Sequence, residues 1–183
     1  HIADTYQVWP AAPSAVALQD DLADEDGDEA LVRTTLQQHP GFSSLEAFAL
    51  AKLGRYAHDV YTIGGACQFE SVSDQLYNTT VRHAEIRARA VQHMRTHPDT
   101  FKPFVIGDWE AYLNGMSIET TWGDNLTLQA IATVYQCIIH VAATFQSYEV
   151  IDIAPQNAPA TAVDVYLGYY PEYHYVSLRT SAA

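Results

Sequence analysis

The residues with the clearest chemical potential stand together at Gly64-Gly65-Ala66-Cys67-Gln68-Phe69. A turn of small residues delivers a cysteine to the start of a stretch with helical apolar spacing, since Phe69, Val72 and Leu76 fall at i, i+3 and i+7. At a helix N-terminus the macrodipole and the free N–H groups favour a thiolate, the nucleophilic form of cysteine. The same turn offers backbone N–H groups at Gly64, Gly65 and Ala66 to hold an oxyanion. A thiolate nucleophile needs a base, most often histidine. Spacing alone fits a second reading as well: a buried structural cysteine after a Gly-rich turn, because free cysteine is among the most buried residue types.

Several elements must position such a turn. Ser43-Ser44-Leu45-Glu46 reads as a capping box, with a helix running to about Leu53 and stopped by Gly54. Asp59–Ile63 is β-prone and leads into the turn. A helix is expected over about His83–Met94, with Ile86, Ala90 and Met94 on one stripe and Pro98 closing it. Asp108 and Asp124 each read as an N-cap. The first helix turns Trp109, Tyr112, Leu113 and Met116 inward, the second Leu128, Ile131, Ala132 and Tyr135. The last third changes period. Cys137–Ala142 and Tyr148–Ile153 read as buried strands, Val163–Tyr169 as a half-buried strand of period two, and His174–Leu178 as a final strand. Helices first and strands late make an α+β domain with a small, mostly antiparallel sheet flanked by helices.

On these residues the chain resembles a known family. Gly65-Ala66-Cys67-Gln68-Phe69 followed by Val72-Ser73-Asp74-Gln75-Leu76-Tyr77 is similar to the cysteine box of the ovarian-tumour (OTU) family of deubiquitinating cysteine proteases, approximately D-G-N-C-x-F-R-A-x-[SA]-D-Q-L-Y. Further blocks follow in the family's order: His83 to Met94, Phe101-Lys102-Pro103-Phe104-Val105, Tyr112-Leu113-Asn114-Gly115-Met116, Thr121 to Ala130 (similar to T-W-G-[GD]-x-[ILV]-x-[IL]-Q-A), and Tyr173-His174-Tyr175-Val176-Ser177, which resembles H-Y-[ND]-S. The resemblance covers about residues 44–179. It implies a papain-like OTU fold, Cys67 as nucleophile and His174 as base. The implied reaction is hydrolysis of the isopeptide bond between a lysine and ubiquitin, or a ubiquitin-like modifier, through a thioester. The implied partner is ubiquitin or a ubiquitin-like protein. No cofactor and no metal are implied, and a monomer is expected.

The chain departs from the pattern at informative places. The family's Asp three residues before the nucleophile is Gly64, and its Asn just before it is Ala66. The Asn or Asp two after the base is Val176, and the Arg after Cys-x-Phe is Glu70. Glu172, two before the base, is the candidate orienting acid, because i and i+2 share a strand face; it reads equally as a solvated loop-end carboxylate. Trp122 and Tyr173 are candidates for the substrate channel. Trp122 reads as well as a packing anchor, and the tyrosines at 166, 169, 170, 173 and 175 as sheet packing. The departures keep a second function open, a catalytically impaired ubiquitin-binding module with the same fold. A generic interaction domain would leave the order of the blocks unexplained.

Composition sets the outer limits. The 183 residues suit one domain, and 48% hydrophobic against 17% charged residues allows a sizeable core. The net charge of -13 argues against nucleic acid and anionic membrane as partners. Seven acids (Asp20, Asp21, Asp24, Glu25, Asp26, Asp28 and Glu29) form one block without a base. Residues 1–38 therefore read as an acidic N-terminal extension and 39–183 as the protease-like domain. Cys67 and Cys137 are too few for a disulfide framework, which suits free thiols in a reducing, cytoplasmic setting. Cys137 reads as core. His93 and His97 share the spacing of a zinc helix, but Met94 stands where the glutamate would be and Pro98 follows at once, which argues against that motif.

Overall fold

The structure, a computed structural model, describes residues 42–58, 65–143, 148–170 and 174–180. The acidic block, Asp59–Ile63, Gly64, Glu172 and Tyr173 lie outside the described residues. In chain order the elements are α1 (Phe42–Leu53), β1 (Tyr56–His58), α2 (Cys67–Tyr77), α3 (His83–Thr96), α4 (Pro98–Phe101) with a 3-10 turn (Lys102–Phe104), α5 (Trp109–Met116), α6 (Asn125–Tyr135), β2 (Cys137–Ala143), β3 (Glu149–Ile153), β4 (Val163–Tyr170) and β5 (His174–Arg179).

Local signals explain most of these boundaries. Asp108 accepts a hydrogen bond from the Ala111 N–H at 2.7 Å and starts α5. Asp124 caps α6 through the Thr127 N–H at 2.9 Å, and the Thr127 hydroxyl accepts the Asp124 N–H at 2.8 Å. The box is reciprocal, with threonine in place of the usual glutamate. Gly54, at φ +63, ends α1. Two expectations need correction. Helix α1 begins at Phe42, so Ser43 is inside it rather than at its cap. Pro98 does not simply close α3; it opens α4, where its missing N–H costs nothing. A short strand, β1, also precedes the expected β-prone segment.

The five strands run in the order β1-β5-β4-β2-β3. Every pair is antiparallel except β2 with β4, which is parallel. One face packs against α2, α3, α5 and α6 through Phe69, Ile86, Leu113, Ile131, Ile139 and Val165. The other carries a smaller cluster in which Leu45 and Ala49 of α1 meet Ala142, Tyr170, Val176 and Leu178. Because α1 covers the second face there, β4 is buried on both faces from Leu167 onward rather than half-buried. Strand β5 is likewise buried from His174 to Leu178.

Candidate active site

Cys67 is the first residue of α2 and is 1% exposed. Ala66 at the N-cap offers no side-chain cap. No side chain of the cap therefore competes for the first N–H groups of the helix, which have no acceptor within it. The turn is held from outside. A Cβ on Gly65 would stand 2.2 Å from the Thr120 carbonyl oxygen, and one on Gly123 would stand 2.2 Å from Gln68 Oε1. Two glycines thus let the 120–123 segment press directly against the start of α2. Trp122 sits half-buried on this segment.

Three hydrogen-bonded ties fix the same region. The Gln68 amide donates to the Asp124 carbonyl at 3.1 Å and accepts from the Thr127 hydroxyl at 2.7 Å. The Tyr112 hydroxyl donates to Asp124 Oδ2 at 2.9 Å. Arg87, 3% exposed, donates to the carbonyls of Gly65 at 3.0 Å, Met116 at 3.1 Å and Glu119 at 2.7 Å, and its guanidinium lies 4.0 Å from the Phe69 ring centre. Burial lowers the Arg87 guanidinium to about 10, opposed by the charges of Glu119, Cys67 and Glu70.

His174 opens β5 and is 5% exposed. Its distance along the chain from Cys67 is closed by the packing of α2 on β5. Asp74 accepts from the Ser177 hydroxyl at 2.5 Å and from the Arg179 guanidinium at Nε, 2.9 Å, and at Nη2. Gln75 donates to Ser177 Oγ at 2.7 Å and to the Leu178 carbonyl at 3.0 Å. At the other end, the Gln68 side chain is within hydrogen-bonding reach of the Tyr175 hydroxyl. Helix and strand therefore run in the same direction. Seven residues back along α2 from Asp74 is a rise of ~10.5 Å; three residues back along β5 from Ser177 is ~10 Å. Those steps end at Cys67 and at His174, at the same end of the α2–β5 pair.

Two buried carboxyls lie on this stripe of α2. Burial would raise Asp74, but the hydrogen bonds from Arg179 and Ser177 outweigh it and hold the group below its ordinary value. Glu70 is raised by burial to about 7, with His174 pulling it down, Glu119 adding to the rise and Arg87 pulling it down. Burial also raises Cys137 to about 11, as expected of a core thiol, and both cysteines are free. The His93 and His97 rings stack with centroids 4.1 Å apart. Among the described residues no three His, Cys, Asp or Glu side chains gather as a metal site.

A thiol at the start of α2 and a histidine at the start of β5 thus lie at the same end of the packed helix and strand. The family model described as OTU-like cysteine protease matches residues 63–175. This chain belongs to that family. The OVARIAN TUMOR DOMAIN-containing deubiquitinating enzyme 10 of Arabidopsis thaliana is 37% identical over 111 residues, which are 61% of this chain and 31% of that protein. The chain thus spans about a third of that relative's length. Among solved structures, the OTU domain of OTUD1 superposes with a TM-score of 0.67 at 19% identity, covering 80% of this chain and 98% of that one. An OTU domain solved in complex with ubiquitin gives 0.56 at 16% identity, covering 68% and 69%. At these identities the structural likeness is one of fold.

Within this OTU fold, the position two after the histidine is a buried valine. Val176 is 0% exposed and packs among Leu45, Tyr170 and Leu178, where it has no polar atom to orient an imidazole. The sequence reading missed Arg87. Its only signal was an arginine at the border of an apolar stripe, between Ile86 and Ala90. It placed Tyr112 inward and Gln68 in the cysteine box, but not their hydrogen bonds, whose partners come from other elements.

Proposed function

We propose that this chain is a deubiquitinase: a cysteine-type isopeptidase that removes ubiquitin, or a ubiquitin-like protein, from lysine. The observation that supports the reading is Cys67 at the start of α2 and His174 at the start of β5, on a helix and a strand joined in the same direction by the contacts of Asp74, Gln75 and Gln68 with β5. In this reading His174 takes the Cys67 proton and the thiolate attacks the carbonyl of the modifier's C-terminal residue. The N–H groups of the 64–66 turn hold the oxyanion. His174 then protonates the departing lysine amine, and water resolves the thioester. Trp122, on the segment packed against the turn, and Tyr173, beside the base in sequence, are proposed to line the channel for the extended tail. The protein is taken to act as a monomer, and its free cysteines suit a reducing, cytoplasmic compartment.

The test is mass spectrometry after incubation with ubiquitin carrying a C-terminal cysteine-reactive warhead. An adduct on Cys67 that is absent in Cys67→Ala is expected. Val176 favours the second reading, a module that binds ubiquitin without turnover. That reading predicts binding in a ubiquitin titration of the folded protein but no adduct. Failure of both would turn attention to ubiquitin-like probes.

A further inference from the structure

We infer that Glu70 is the positioning acid of this site: one turn along α2 from Cys67, its buried carboxylate balances the charge that His174 takes up when Cys67 gives it a proton. The inference rests on the protease reading above.

Cys67, Glu70 and Asp74 fall at i, i+3 and i+7, so they form one stripe of α2. Asp74 meets Ser177 and Arg179 of β5. Glu70, one turn nearer the start of the helix, therefore lies toward the His174 end of the strand. It is 4% exposed, and its Oε2 is buried with no hydrogen-bond partner. A carboxylate is not left in that state without a counter-charge at modest cost. The charged groups that act on it are His174 from β5, Glu119 from the turn after α5 and Arg87 from α3. The terminal nitrogens of Arg87 are committed to three backbone carbonyls. Glu119 carries the same sign as Glu70. His174 is thus the group whose charge can rise to meet Glu70 during the reaction.

The family pattern gives this arrangement a logic. Here the acid or amide two after the base is lost to Val176, and the arginine three after the nucleophile is replaced by Glu70. The negative partner has moved from the strand to the helix. The step it supports is a proton transfer from Cys67 Sγ to the His174 ring, giving a thiolate and an imidazolium, which later returns the proton to the leaving amine. Glu70 stays ionised throughout and moves no proton. It must be charged to act, and burial places its ionisation at about 7.

The experiment compares kcat/KM for a ubiquitin C-terminal amide reporter in wild type, Glu70→Gln and Glu172→Gln, using the full chain across about pH 5.5–9. Circular dichroism checks folding, and Cys67 is labelled with the ubiquitin warhead in each variant. Glu70→Gln is close in shape and is expected to lower kcat/KM at least about tenfold above pH 8, chiefly through kcat. The gap should close to within about threefold near pH 6, where wild-type Glu70 is itself protonated. Glu172→Gln should stay within about threefold of wild type throughout. A Glu70→Gln profile parallel to wild type, or a loss carried by Glu172→Gln instead, overturns the inference while leaving the protease reading intact. Absence of any Cys67 adduct in folded wild type overturns both. If Glu70→Gln is unfolded, Glu70→Asp serves in its place: a wild-type acid limb displaced in pH supports the inference, and an unchanged limb overturns it.

Discussion

Glu70 and Asp74 stand one turn apart on the same stripe of α2 and are equally hidden, at 4% and 5% exposure. Their chemistry is opposite. Asp74 is met by Arg179 and Ser177 and is held below the ordinary carboxyl value. Glu70 has an unpartnered oxygen and rises to about 7. Depth of burial is therefore not what separates a structural acid from a poised one; the partners are. Asp74 ends up as a clamp that joins helix to strand. Glu70, at the Cys67 end of the stripe, has no such partner on Oε2 and is left with a raised ionisation.

The contrast is exposed most strongly by the pH dependence of stability. Between about pH 4.5 and 7 folded Glu70 holds a proton that the unfolded chain has released, so folding loses up to about 3 kcal/mol as pH rises through that window. Glu70→Gln has no such proton to hold. Its urea midpoint should rise relative to wild type from pH 4.5 to 7 and then stay level. A difference that is flat with pH would place Glu70 with Asp74.

Asp74 should behave in the reverse sense. Its folded ionisation is depressed, so its contribution is present above about pH 3.8 and is lost as pH falls through the depressed folded value. Asp74→Asn should cost about 2 kcal/mol at neutral pH by urea denaturation, because it strips charge-assisted hydrogen bonds from Arg179 and Ser177. The deficit should shrink in acid. Its remaining folded fraction should still label at Cys67, which would separate a clamp from a participant.

The smallest effect is expected at the turn that both regions share. Gly123→Ala drives a methyl to 2.2 Å from Gln68 Oε1 and must displace the amide from Thr127. A loss of about 1 kcal/mol is expected, with a fall in reporter turnover larger than the stability loss accounts for. Equal proportional losses in both would make the 120–123 segment a mere support.

Much of the scaffold was legible from local pattern. The period of the apolar residues marked α2, α3, α5 and α6, and the switch to period two marked β4 and β5. Asp108 and Asp124 announced their helices because an N-cap acts on N–H groups within three residues of itself. The Gly-rich turn before Cys67 and a histidine in a late strand could be read for the same reason, since each is a local statement. The resemblance to a family then joined them.

Local pattern along the chain therefore specified the set of elements, the helix start that carries Cys67 and the strand start that carries His174. The state of the two buried carboxyls came from packing in three dimensions. Glu70 and Asp74 look alike along the chain, and their fates differ because of what β5 and α3 bring to each. Arg87 acquires its role from carbonyls at Gly65, Met116 and Glu119. His140, without a partner at any telling spacing, lies 2.7 Å from Asp152 and 3.0 Å from Asp164, because β3 and β4 flank β2. Periodicity and capping act over a few residues and are written in order along the chain. Desolvation and charge pairing depend on distance in space, which sequence order does not carry.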